Sequence, residues 1–238
     1  DSEGNPRNYV NPKRHLEDWQ AAIAFARSLD SVDSKRVALW GTSFSGGHVI
    51  VVAARTPGIS AVVAQVPFAD GLSSGRGKSL GFTIRAAYHG LRDMVESALF
   101  NRRHYVLMAG DPGTFAVMNT PDALEGCKKI IPAGVSSDRK CPADILLNTL
   151  FYRPVKSAPG VACPALIIYA ESDTLIAPRD VKKMGAGMKK ATVVGLPLGH
   201  FEIYVGEPFK KAVGLETEFL IQHLVTSPGG TDNNAIVR

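Results

Sequence analysis

Cysteine is scarce in this chain of 238 residues. Cys127, Cys141 and Cys163 show no C-x-x-C spacing and stand beside no histidine cluster. Neither a zinc site nor a redox dithiol is indicated, so no metal and no cofactor are expected. An odd count argues against a complete disulfide framework, and a single Cys127–Cys141 bridge is left open because both residues fall in a loop-rich stretch. Long hydrophobic runs are missing too. VALW, VIVVAA and ALIIYA stop far short of the roughly 18 to 20 residues that a bilayer crossing takes, so no membrane span is expected. There is no large excess of charge: a net +5 is spread over pairs such as Lys128-Lys129, Lys182-Lys183, Lys189-Lys190 and Lys210-Lys211, with no basic block interleaved with aromatics. That pattern describes solvated surface and points away from nucleic acid. The chain opens at Asp1 with neither a methionine nor a charged-then-apolar leader. A start partway through a longer protein is therefore expected, and localisation stays unread.

What is present suits one substantial core with an inserted subdomain, since 45% of the residues are hydrophobic. Between residues 15 and 29 the apolar positions Leu16, Trp19, Ile23, Ala26 and Leu29 recur at three- and four-residue intervals, which predicts a helix burying one face. Residues 35–40 are charged and then uninterrupted apolar, as in a short parallel strand covered on both sides. A glycine-rich turn follows at 41–47, then an apolar helix to Arg55, closed by Thr56-Pro57-Gly58. Further strands are predicted at 59–66, 165–170 and 191–196, with a closing amphipathic helix at 209–224. Strands alternating with helices imply a mostly parallel α/β sheet.

Almost a hundred residues separate the strands at 59–66 and 165–170, far more than a crossover needs. The chain is therefore expected to divide into a first core part (1–70), a mostly helical cap (71–162), a second core part (163–225) and a flexible polar tail (226–238). Inside the cap, Ile84, Ala87, Tyr88, Leu91, Met94, Val95 and Ala98 follow a helical stripe. Its aromatics, Phe82, Tyr88, Phe100, Tyr105, Phe115, Phe151 and Tyr152, are candidates either for lining an acyl pocket or for the cap's own core. Arg102-Arg103 is a candidate anion contact or plain surface.

The phrase WGTSFSGGHVI places Ser43 between small residues where a strand gives way to a helix. A serine hydroxyl is a poor nucleophile unless it is held out from the fold, beside a base and facing donors for an oxyanion. A strand-to-helix elbow provides the exposure and one backbone donor. Ser45 stands where the usual G-x-S-x-G pattern has its second glycine, a departure that a small side chain tolerates. Asp173, in AESDTLIAP after one strand, and His200, in LPLGHFEIY after the next, fall at the carboxyl edge where open parallel sheets gather active groups. Glu171 and Asp180 compete with Asp173 for the acid's role. His48 reads as packed or hydrogen-bonded within its helix, and His15, His89, His104 and His223 have no partner pattern.

In this order of serine, acid and histidine the chain resembles the α/β-hydrolase superfamily. The phrases DSEGNPRNYVNPKRHLEDWQAAIAF and VALWGTSFSGGHVI resemble the branch holding dienelactone-hydrolase-like enzymes, Xaa-Pro dipeptidyl-peptidase-like acyl hydrolases and fungal polyketide transferases. The resemblance implies that Asp1 to Gly4 is the remnant of a motif following an earlier strand, so that early strands precede this chain. It also implies an acyl-enzyme on Ser43, with His200 as base, Asp173 as orienting acid and the Phe44 amide as one oxyanion donor, the second donor lying before Asp1. The expected substrate is a small acyl compound: an ester, thioester or activated amide. Transfer of the acyl group to an alcohol or amine, and a non-catalytic subunit of a larger assembly, are the alternatives. A protein partner or the preceding segment is expected to cover the open sheet edge.

Overall fold

The computed structural model describes residues 5–132, 134–135 and 139–225. The expected tail at 226–238 and the motif remnant at 1–4 lie outside the described residues. In chain order the elements are α1 (Pro12–Ser28), β1 (Val37–Thr42), α2 (Ser43–Arg55), β2 (Ile59–Gln65), α3 (Gly71–Arg76) and α4 (Leu80–Phe100). There follow β3 (Tyr105–Ala109), β4 (Ala116–Met118), α5 (Ala123–Ile130), β5 (Lys140–Pro142) and α6 (Ile145–Asn148). After two single 3-10 turns come β6 (Ala165–Ala170), α7 (Pro178–Ala186), β7 (Ala191–Leu196), a 3-10 turn at Glu202–Tyr204 and α8 (Gly206–Leu224).

The main sheet runs β1-β2-β6-β7, every pair parallel. Its apolar residues sort by parity. Val62, Ala64, Ile167 and Tyr169 pack with residues of α1, α2 and α7, whereas Ala61, Val63, Leu166 and Ile168 pack with Ala212 and Phe219 of α8. Successive side chains of a strand point to opposite faces, so unbroken apolar runs are what a sheet covered on both sides requires. The helices begin by local chemistry: the Asn11 side chain accepts from the Lys13 and Arg14 amides, and Pro12 takes the first position of α1. Among the described residues β1 pairs with β2 alone, leaving its outer edge without a strand.

The segment between β2 and β6 is mostly helical in its regular elements, and it also contains a second sheet, β4-β3-β5, that the sequence does not announce. Strands of three to five residues are too short to show a period in sequence. The stripe on α4 is helical, but it points outward: Ile84, Tyr88, Leu91 and Val95 are each more than half exposed. The inward face carries instead Gly90, against which Leu147 of α6 packs, and the fully buried Asp93. Arg103 is not an anion-binding surface residue. Its guanidinium reaches Asp93 Oδ2 at 2.5 Å and Asp144 Oδ2 at 2.8 Å, and lies 4.5 Å from the Tyr9 ring. Cys127 and Cys163 are free thiols, and the fully buried Cys141 donates its thiol hydrogen to the Val106 carbonyl. No helix among the described residues is long and apolar enough to cross a membrane.

Candidate active site

Parallel strands bring their carboxyl ends to one edge, and the chain leaves β1 there by turning at once into α2. Ser43 makes that turn with φ at +51°. A non-glycine residue in the left-handed region costs roughly 1–2 kcal/mol, so the surroundings must hold it. They do so by close approach. A Cβ on Gly41 would lie 2.5 Å from the Ser45 carbonyl oxygen, and one on Gly47 2.5 Å from that of Phe68. The Phe68 amide donates to the Ser43 carbonyl at 2.8 Å, fastening the elbow to the loop after β2. Ser45, in place of the usual glycine, is half-buried on the wall of the adjoining cavity.

Two further strand ends supply the neighbours of Ser43. Asp173, beyond β6, accepts from the Leu175 and Ile176 amides through Oδ1, both at 2.8 Å, which leaves Oδ2 free to meet His200 Nδ1 at 2.7 Å. His200 Nε2 stands 3.0 Å from Ser43 Oγ. A carboxylate only accepts, so the proton between His200 and Asp173 belongs on Nδ1, and Nε2 is left to accept from the serine hydroxyl. The Asp173 and His200 side chains are each 3% exposed. Glu171 is exposed beside Gly195 on β7, and Asp180 sits in the first turn of α7 near Arg179. Of the three acids considered in sequence, Asp173 is the one whose carboxylate bonds His200.

The chain must bring His200 back across the sheet, because two strands stand between β1 and β7 and each step is about 4.8 Å. Tyr204, four positions beyond His200, ties the returning loop down: its hydroxyl lies 2.7 Å from Thr42 Oγ1, to which Gln65 Nε2 also donates at 3.0 Å. Burial pushes the Tyr204 phenol up to about 12, so it keeps its proton. Sequence reasoning missed these three residues. The nearest signal was a tyrosine one helical turn after the histidine, which proximity alone does not distinguish from core.

Phe44 follows the serine, and its ring is enclosed by His48, Phe68 and Tyr152 at centroid distances of 4.7, 5.3 and 5.6 Å. His48 is itself fixed, with Nδ1 2.7 Å from the Tyr152 hydroxyl and Nε2 3.1 Å from His15 Nδ1. Burial lowers His48 to about 4, so it is neutral at pH 7 and packs as a polar wedge. The first amides of a helix have no intrahelical acceptor, and Phe44 N–H is among those of α2.

Ser43, Phe44 and His200 open onto a cavity of about 1250 Å³ whose far walls come from the segment between β2 and β6, including Leu72, Phe82, Met108, Leu146 and Leu150. That exceeds the usual range of roughly 300–1,000 Å³ for small-molecule pockets. Of the aromatics singled out in that segment, Phe82 lines it. Tyr88, Phe100 and Phe151 are exposed, Phe115 packs beside Phe82, and Tyr152 belongs to the enclosure of Phe44. Among the described residues no group of three His, Cys, Asp or Glu side chains is placed to hold a metal ion.

Residues 4–74, which include the elbow, match the acetyl xylan esterase family (AXE1). The quorum-quenching protein AidA of Acinetobacter baumannii is 36% identical over 220 residues, covering 92% of this chain and 72% of that protein. The polyketide transferase af380 of Aspergillus fumigatus is 23% identical over 228 residues, covering 94% and 76% of the two chains. Among solved structures, the α/β hydrolase GrgF from Penicillium sp. sh18 shares the fold with a TM-score of 0.75 at 18% identity, over 94% of this chain and 76% of that one.

Proposed function

This chain belongs to the α/β-hydrolase superfamily, in the branch that includes the polyketide-transferase-like enzymes, and from that premise we propose that it is a serine hydrolase cleaving an ester, thioester or activated amide. The observation that carries the proposal is the hydrogen-bonded line from Ser43 through His200 to Asp173 at the mouth of a large, mostly apolar cavity. In this reading Ser43 Oγ attacks the acyl carbon as its proton passes to His200 Nε2. Asp173 holds the ring in place and stabilises the imidazolium that forms. The Phe44 amide donates to the developing oxyanion, and its enclosed ring keeps that amide aimed. His200 then returns the proton to the leaving group, giving an acyl-enzyme that water opens with His200 again as base. The segment between β2 and β6 serves as a cap, and the cavity it walls receives the acyl chain.

A fluorophosphonate probe tests the nucleophile directly. The chain is expected to label at one serine, and Ser43→Ala to remove the signal. Labelling that survives this substitution would overturn the assignment. Transfer of the acyl group to an alcohol is the second reading, favoured by the likeness to a polyketide transferase. Product analysis with and without an added alcohol separates the two, because only transfer yields a new ester.

The Tyr204 tie makes its own prediction. Tyr204→Phe keeps the ring but frees the His200 loop from Thr42. On a p-nitrophenyl ester, kcat is expected to drop about 10-fold with KM nearly unchanged, since small displacements of a reacting group are costly. A matching thermal melt checks that the loss is not one of folding.

A further inference from the structure

The cavity that carries Ser43 is lined chiefly by apolar groups, yet Lys78 reaches into it from the turn between α3 and α4. Its ammonium donates to Asn119 Oδ1 at 2.6 Å and stands 5.0 Å from the Phe82 ring centroid. Asn119 is set for this contact, because its Nδ2 donates to the Thr114 carbonyl at 3.2 Å and so turns Oδ1 toward the lysine. A neutral amide holds the cation without cancelling its charge, and no ion pair of Lys78 with a carboxylate is found among the described residues. The other charged side chains on the lining, Asp18 and Arg76, are solvent-exposed. Lys78 is partly buried, and that burial lowers its pKa, the mark of an ammonium that has lost water without gaining an anion.

We propose that Lys78, positioned by Asn119 and Phe82, is an anion subsite of the cavity, and that the preferred substrate carries a carboxylate on an otherwise apolar acyl chain. A carboxylate there would replace the missing counter-charge in a setting that screens it weakly, and charge-assisted hydrogen bonds are the strong ones. The proposal rests on the reading of this cavity as the acyl pocket. It adds a specificity determinant remote from bond breaking, which should act on the choice of acyl chain and not on the chemical step.

The test compares mono-p-nitrophenyl esters of dicarboxylic acids, six to twelve carbons long, with p-nitrophenyl alkanoates of equal length. The half-esters are expected to show the higher kcat/KM at one favoured length. Lys78→Met should lower that preference by about 10-fold or more, the scale of one charge-assisted contact, while leaving the alkanoates unchanged or faster. A preference that survives Lys78→Met, or an equal fall for both series, overturns the subsite. Binding of decanoate against decanamide, followed by calorimetry, reads the same contact without turnover. Decanoate should bind more tightly, and Lys78→Met should abolish the difference; equal binding by the unaltered chain also overturns the proposal. If the binding preference is found but no ester is cleaved, the hydrolase reading has failed and the anion subsite has not.

Discussion

Ser43→Ala, His200→Ala and the double variant are expected to fall to one common floor in ester hydrolysis, each about 100,000-fold below the unaltered chain in kcat. The near-equality is the informative part. If Ser43 and His200 act as nucleophile and base of one step, removing either removes the step, and the second deletion has nothing left to take away. Independent contributors would instead multiply their losses. Asp173→Asn is expected to fall less far, by about 10,000-fold, because the amide can donate to His200 Nδ1 and favour the wrong tautomer while leaving both reacting atoms in place. Steady-state rates with a p-nitrophenyl ester measure all four. A double variant much slower than either single one would dissolve the unit.

Arg103→Met is expected to destabilise the fold by about 3 to 5 kcal/mol in urea denaturation. One guanidinium serves two buried carboxylates. Asp93 accepts from Arg103 Nε and Nη2 and from the amides of His104 and Asp144, while Asp144 accepts from Arg103 and from the Tyr9 hydroxyl. Removing the cation strands both carboxylates. Burial already raises the Asp144 carboxyl above its ordinary value, against the lowering pull of Arg103. The native state therefore holds this proton more tightly than the unfolded chain, protonation favours folding, and stability from this group declines as pH rises through its folded pKa. The Arg103→Met defect should accordingly shrink as pH falls toward the carboxylate range. A defect independent of pH would mean that lost packing, including the Tyr9 contact, outweighs the stranded charge.

The sheet was legible because buried parallel strands must be nearly all apolar. The predicted ranges at 165–170 and 191–196 coincide with Ala165–Ala170 and Ala191–Leu196. β1 was shifted, since Gly41 and Thr42 look like turn residues yet remain paired with Ala64 and Gln65. The apolar spacing of α4 announced a helix, but spacing carries no sign for inside and outside when the buried face uses Gly90 and Asp93. Ser43, Asp173 and His200 could be picked out from strand-end phrases. The residues that hold them in register could not: Tyr204, Thr42 and Gln65 meet across three separate strand ends, and nothing local marks such a meeting. Lys78 was hidden for a similar reason, its setting depending on Asn119, a residue 41 positions away.

Ser43 and His200 stand 157 positions apart in the chain, and β7, after which His200 lies, is the last strand among the described residues and one rim of its sheet. Contacts between such distant positions cannot form until the intervening chain has been made and its ends brought together. Until His200 has been made and has come back across the sheet, Ser43 therefore has no base beside it. On the proposed mechanism, the capacity to seize an acyl group arrives only when the C-terminal part of the sheet closes, so a chain that stops short of His200 is also an inert one.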